Sequence, residues 1–377
     1  MLTNARGVFS NRLIETTSIA VDGGSIVAIG DEGVRPDATV IDLAGLILLP
    51  GFIDVHIHGA VGVDVLDATV EGLRSISDYL ASQGVTSWLP TFVPASDENY
   101  ASAVAVISEA AKSSSGARIA GVHYEGPFVN SKQCGALHTE YFKTYSRPED
   151  LNFLVVPDGA RMITLAPEVE GGVELVRELK RRDWVISIGH TRADLETLDN
   201  ACDAGARHMT HFMNAMSPLH HRTPGPIAWG LSRDDVTFDV IADGIHLAPF
   251  MLQLLLKLKG TTGITLISDA IAAAGKGDGE YQIWGETIAV KDGRTANAAG
   301  SIAGSIISML DAVRLLSTLG VSYVDLARMA SANPARLLGL DDCGTIEVGK
   351  RADLVALDQD GNVKLTVVGG EVVFGSH

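Results

Sequence analysis

Leu49-Pro-Gly-Phe-Ile-Asp-Val-His-Ile-His-Gly59 reads as a short apolar β-strand that ends in two histidines. Residues two apart on a strand project to the same side, so His56 and His58 face one point beyond its carboxyl end. An amphipathic helical pattern follows at 69–83, with Leu73, Ile76 and Leu80 on one face. The same alternation repeats along the chain. Apolar runs at 52–56, 87–92, 119–125, 162–166, 185–190, 208–212, 238–242 and 265–269 are predicted strands. Further helices are predicted at 97–112, 172–182, 194–204 and 249–259. Eight such strands alternating with helices predict an α/β fold, a (β/α)8 TIM-like barrel of parallel strands.

The flanks read differently. Short β runs at 18–21, 26–30 and 39–42 are punctuated by Asp22-Gly23-Gly24, and the chain closes on a comparable run at 363–373. The two ends therefore predict one small β-sandwich domain, 1–48 with 344–377, and leave 49–343 to the catalytic barrel.

Composition narrows the function. Hydrophobic residues make up 46% and charged residues 20% of the 377, which suits a globular chain with a substantial core. A formal charge of -17 argues against nucleic acid or an anionic membrane surface as partner. It does not exclude a small anionic substrate, because a few local cations outweigh a distant field. The cysteines Cys134, Cys202 and Cys343 are odd in number and widely spaced, which predicts no disulfide framework and a reducing, cytoplasmic setting. The N-terminal stretch lacks a basic-then-apolar signal pattern, and no apolar run approaches the ~20 residues of a membrane span.

Polar residues recur at the carboxyl ends of the predicted strands: His56 and His58, Glu125, His190, His211 and Asp269. That end is where barrel enzymes assemble their sites. Alone, such a residue is more often a hydrogen-bonded structural residue, or an exposed one, than a ligand. Together they form a ligand set of imidazoles and carboxylates suited to zinc, or to iron, manganese or cobalt.

These residues lie in motifs that carry a family resemblance. The opening 49–59 stretch, Asn333-Pro-Ala-Arg-Leu-Leu-Gly and Gly349-Lys-Arg-Ala-Asp-Leu-Val look like the amidohydrolase superfamily. Tyr124-Glu-Gly-Pro-Phe, Gly189-His-Thr, the 210–225 segment, Ala242-Asp-Gly-Ile-His and Ser268-Asp-Ala resemble the N-acetylglucosamine-6-phosphate deacetylase family, along nearly the whole chain. No lysine falls on the eight predicted strands, so the bridging carboxylated lysine of many dinuclear amidohydrolases has no candidate.

The resemblance implies hydrolysis of the N-acetyl group of N-acetylglucosamine 6-phosphate to glucosamine 6-phosphate and acetate, in amino-sugar catabolism. Glu125, His190 and His211 would hold the principal divalent ion, and His56 and His58 a second. Asp269 would serve as general base and then general acid toward a metal-activated water. His138 would polarise the carbonyl, although Gly135-Ala-Leu-His is one residue longer than the family's Gly-Ala-His. Arg222 and His246 would bind phosphate, with His221 a lesser neighbour. Asn214, Ala215, Ile302, Ala303 and Gly304 would line the sugar pocket. Cys134 reads as a loop thiol beside it. A homodimer is expected on the same ground. Two other readings stand beside this one: a dihydroorotase-like cyclic amidase or deaminase, and a non-catalytic amidohydrolase-like binding module.

Overall fold

In the computed structural model, which describes residues 1–30, 39–113 and 115–375, eight successive parallel strands form a nearly closed barrel. They are Phe52–Ile57, Val85–Phe92, Gly121–Glu125, Ala160–Leu165, Val185–Ile188, His208–Met209, Thr237–Ile241 and Ile264–Ile267, with Arg118–Ile119 also paired to the second. Between the last strand and the first, closure comes from hydrogen bonds just beyond the regular ladder. Asp269 N donates to His56 O at 2.9 Å and His58 N to Ala270 O at 2.8 Å. The seam thereby sets Asp269 beside the paired histidines.

The strands are shorter at their carboxyl ends than the apolar runs suggest. The fifth stops at Ile188, the sixth at Met209 and the eighth at Ile267. His190, His211 and Asp269, predicted as strand residues, each sit two positions further on, with φ of 47°, 32° and 50°. Left-handed backbone in residues other than glycine costs on the order of 1–3 kcal/mol each, and such strain gathers at functional sites. Bending out of the strand is what turns these side chains across the barrel mouth.

The predicted helices form close to their expected limits, because their ends carry caps. Thr69 and Asp194 accept hydrogen bonds from Gly72 N and Thr197 N, opening Val70–Ser82 and Leu195–Ala204. Their apolar faces bury Leu73, Ile76 and Leu80, and Leu198, Ala201 and Cys202. Inside the barrel, polar groups replace the usual branched aliphatics beneath the mouth. His123 Nδ1 donates to Val55 O at 2.9 Å, Thr164 Oγ1 lies 2.8 Å from its Nε2, and Thr164, Thr210 and Ser187 hydroxyls continue the chain. Burial pushes the basicity of His123 down to about 3, so this floor is neutral.

The chain ends meet in one mixed eight-stranded sheet built around Leu2, Ile19, Ile26, Leu48, Leu354 and Leu365. Leu2–Val8, absent from the sequence expectation, runs through it. Ile47–Pro50, which straddles the expected domain boundary after residue 48, pairs with Leu354–Leu357 of this sheet. The expected 363–373 run is two strands, Val363–Val368 and Glu371–Phe374, broken at Gly369-Gly370. Positions 31–38 and 376–377 of the expected small domain lie outside the described residues. Among the described residues no helix is long and apolar enough to cross a membrane.

A three-stranded antiparallel unit, Gly279–Ile283, Glu286–Lys291 and Arg294–Ala296, follows the eighth barrel strand. The sequence pattern did not suggest it. Its third strand holds the next loop: Thr295 Oγ1 donates to Gly304 O at 2.7 Å and accepts from Ala303 N at 3.2 Å.

Candidate active site

Glu125 ends the third strand and stands at the centre of the mouth. Its Oε1 lies 2.8 Å from His190 Nε2 and 2.9 Å from His211 Nε2, while its Oε2 is 3.3 Å from His58 Nε2. His56 Nε2 is 3.1 Å from His58 Nε2, and His190 Nε2 is 3.2 Å from His211 Nε2. Asp269 Oδ1 sits 3.2 Å from His58 Nε2 and 3.4 Å from His56 Nε2. All six residues are buried.

The tautomers show what such a cluster wants. A carbonyl oxygen only accepts, so His190 Nδ1, 2.7 Å from Gln133 O, is protonated, as is His58 Nδ1, 3.0 Å from Thr91 O. In the neutral rings both Nε2 atoms then carry lone pairs that point at other lone pairs and at carboxylate oxygens. Acceptor facing acceptor at these distances is repulsive unless a cation lies among them. Carbonyl-anchored imidazoles around a carboxylate are the ordinary support for a divalent metal.

The local field agrees. Burial works against a charged His58, yet its contact with Asp269 and the charges of Glu125 and Asp269 push it up to about 9. Burial is again the largest single influence on His211 and lowers it, but the hydrogen bond and charge of Glu125, with the charges of Asp269 and Asp239, together take it up to about 9. Glu125 itself is held well below the usual carboxylate range: burial resists ionisation, but His56, His190 and His211 outweigh it. Positive charge is favoured at the centre of this cluster.

Two groups of three residues can each hold an ion, His56, His58 and Glu125, and Glu125, His190 and His211, with Glu125 common to both. Imidazole nitrogen and carboxylate oxygen are the donor set of zinc and its first-row neighbours. The residues fit the group.

The cleft above the cluster is lined by His58, Glu125, His190, His211 and Asp269, by Asn214, Ala215 and His246, and by Ile302 and Gly304. His246 Nδ1 is 2.6 Å from Asp243 Oδ2, and Asp243 also accepts from Ile245 N and His246 N. Gly304 must be glycine. At φ +59°, a β-carbon there would lie 2.6 Å from Ile271 Cγ2 and 2.9 Å from Asp269 O.

Four predicted site residues stand apart from the lining. His56 is fully buried beneath it, where it reaches the cluster, and Ala303 is packed into the apolar core behind the loop. In the 135–138 loop, Gly135, Ala136 and Leu137 line the cleft, whereas His138 Nδ1 is 3.2 Å from Glu140 Oε1 and its Nε2 is buried without a partner. The extra residue in that loop puts leucine where histidine was expected. Arg222 lies on the fully exposed 218–223 loop, its Nη1 2.7 Å from His221 Nε2, and does not line its own cleft.

Sequence reading missed Trp284, which lines the cleft from the added β unit and meets His58 edge-on, ring centroids 5.3 Å apart. A tryptophan beside glycine between two strand-like runs was its only trace.

A family model described as the amidohydrolase family matches residues 47–373. An N-acetylglucosamine-6-phosphate deacetylase of Bacillus subtilis (strain 168) is 38% identical over 381 residues, covering 97% of this chain and 95% of that one. An N-acetylgalactosamine-6-phosphate deacetylase of Escherichia coli O157:H7 is 36% identical over 330 residues, covering 86% and 87%. The crystal structure of N-acetylglucosamine-6-phosphate deacetylase from Thermotoga maritima superposes with a TM-score of 0.90 at 35% identity, over 99% of each chain.

Proposed function

The chain belongs to the amidohydrolase family, with the N-acetylglucosamine-6-phosphate deacetylases, and from that premise we propose that it hydrolyses N-acetylglucosamine 6-phosphate to glucosamine 6-phosphate and acetate. The observation that carries this reading is the convergence of His56, His58, Glu125, His190, His211 and Asp269 at one barrel mouth.

In this reading Glu125, His190 and His211 would hold the principal divalent ion, and His56 and His58, beside Glu125, would hold a second. Zinc is the ion best suited to this donor set. When bound, the metal supplies Lewis acidity, polarising the acetamide carbonyl and easing deprotonation of the attacking water.

Asp269 does the proton work. It accepts a proton from water as the C–O bond forms, then delivers it to the sugar nitrogen as the C–N bond breaks. Left-handed backbone and the 2.9 Å bond to His56 O fix it beside the cluster. Burial of the cleft floor excludes bulk water from that exchange.

His246 is the phosphate-binding candidate within the chain. With Nδ1 committed to Asp243, its Nε2 is left for an anionic oxygen, as donor when the ring carries both protons. Asn214, Ala215, Ile302 and Gly304 border the sugar. Arg222 reaches phosphate only if its loop moves or a second copy of the chain brings it. A homodimer is the assembly the family resemblance implies. Three free cysteines suit a cytoplasmic setting. The terminal β domain (1–48 and 344–377) is scaffold here, and 49–343 carries the chemistry.

Asp269→Asn tests the mechanism. Asparagine keeps the shape but cannot take the proton, so turnover should fall by about 10²–10⁴ with metal content and Tm retained. An Asn variant of near wild-type turnover removes Asp269 from the proton path.

A further inference from the structure

We propose that Trp284, backed by Leu137, is the wall against which the acyl methyl group packs, and that it sets the acyl length the site accepts. The inference rests on the deacetylase reading above and adds a specificity-determining residue to it.

The local sequence is the first clue. Ile283 pairs directly with Glu286, so Trp284-Gly285 is a two-residue hairpin loop, with φ of 54° and 76°. Positive φ at both central positions belongs to the type I′ turn, which favours Asn-Gly. Tryptophan in the first position is a poor choice for the turn itself. Its side chain therefore answers to contacts outside the hairpin.

Those contacts converge on the site. Trp284 Nε1 donates to Asp64 Oδ2 at 2.8 Å, and Leu66 N donates to the other oxygen of Asp64 at 2.9 Å. The indole meets His58 edge-on at an interplanar angle of 86°. It also packs against the apolar cluster of Val93, Val129 and Leu137. The hairpin is thus pinned at its tip, and the indole is held in one pose.

The chemistry of the cleft then assigns a role. Besides imidazole and carboxylate, the lining carries the apolar side chains of Ala136, Leu137, Ala215, Trp284 and Ile302, and of these Trp284 meets His58 of the ligand cluster ring to ring. Trp284 is the largest apolar side chain lining the cleft among the described residues. An acetamide divides the same way. Its carbonyl must face the polar cluster, and its methyl, one bond away, needs apolar surface. A rigid indole held by a hydrogen bond leaves room for a methyl group and resists a longer chain.

The test compares N-acetyl-, N-propionyl- and N-butyryl-glucosamine 6-phosphate as substrates of the metal-loaded protein. Wild type should prefer acetyl. In Trp284→Ala the propionyl-to-acetyl ratio of kcat/KM should rise by about tenfold or more, the scale on which pockets discriminate one methylene. Leu137→Ala should shift the ratio the same way. Asp64→Asn should shift it less, because the asparagine amide cannot accept from both Nε1 and Leu66 N. If both rates fall together in Trp284→Ala and Leu137→Ala and the ratio stays at the wild-type value, the indole is only a structural pin and the inference is wrong. Should Trp284→Ala not fold, by circular dichroism and metal content, Leu137→Ala and Trp284→Phe carry the ratio test. A wild type that hydrolyses none of the three overturns the deacetylase reading with it. A wild type active on the acetyl substrate with unmoved ratios overturns this inference alone.

Discussion

His190 Nδ1 donates to the carbonyl oxygen of Gln133 at 2.7 Å, so a proposed metal ligand is tied directly to the loop that walls the cleft. A second bond, from Asn130 N to His190 O at 3.1 Å, closes the same link from the backbone. Within the loop Gln133 N donates to Asn130 O and Leu137 N to Cys134 O, and at its start Asn130 Nδ2 donates to Glu168 Oε1 at 2.8 Å. Gln133 is tied to the barrel mouth through the His190 ring. Chelating the metal should release the ring and speed amide exchange across 130–138 at least severalfold, with the barrel strands unchanged. Hydrogen exchange of metal-loaded and chelated protein checks this, and equal exchange in that segment contradicts it.

Glu125 offers one carboxylate oxygen to His190 and His211 and the other to His58. A shared ligand makes its loss different from the loss of either histidine pair. Glu125→Gln should lower retained metal by about 100-fold in affinity or more, since a ligand counts for more than the outer-shell partners that cost 10–100-fold. His58→Asn should remove only the second ion and leave roughly one equivalent. Elemental analysis after dialysis measures both. Wild-type metal content in Glu125→Gln would remove that carboxylate from the ligand set.

Asp64, which feels the charge of His58, gives a pH signature of its own. Burial raises its pKa from 3.8 to about 6, against the hydrogen bond from Leu66, the charge of His58 and the hydrogen bond from Trp284. A raised folded-state value means the folded chain binds this proton more tightly than the unfolded chain. The contribution is full below about pH 4 and is lost as pH rises through about 6, at most about 3 kcal/mol for two units. Asn carries no such titration, though it pays a fixed cost for the donor it cannot satisfy. The Tm of Asp64→Asn minus that of wild type should therefore climb between pH 4 and 7. A flat difference across that range contradicts a buried, titrating Asp64.

The barrel and its ligand set were legible because both follow short-range rules. Apolar runs of strand length alternate with capped helical patterns, and His56-Ile57-His58 uses the two-residue repeat of a strand. What escaped depends on contacts between distant segments. His190, His211 and Asp269 leave their strands early because the seam and the cluster impose left-handed backbone, which no apolar run announces. Ile47–Pro50 is not legible as a strand of the terminal sheet because its partner, Leu354–Leu357, is some three hundred residues away. Trp284 reaches the cleft only through the fold of 279–296, whose strands alternate exposed polar residues with little apolar signal. Leu137 rather than His138 faces the cleft through one extra loop residue, which a motif match cannot place.

The central claim is an acetyl-amide hydrolase specific for a phosphorylated amino sugar. It is tested most directly by acetate release from N-acetylglucosamine 6-phosphate and from unphosphorylated N-acetylglucosamine, with zinc-loaded protein under identical conditions. A cleft that carries a phosphate site beside the ligand cluster predicts kcat/KM at least about 100-fold higher for the phosphorylated sugar, the 1.4 kcal/mol-per-decade equivalent of one or two charge-assisted hydrogen bonds. Equal rates on the two sugars, or no acetate from either, would contradict the account.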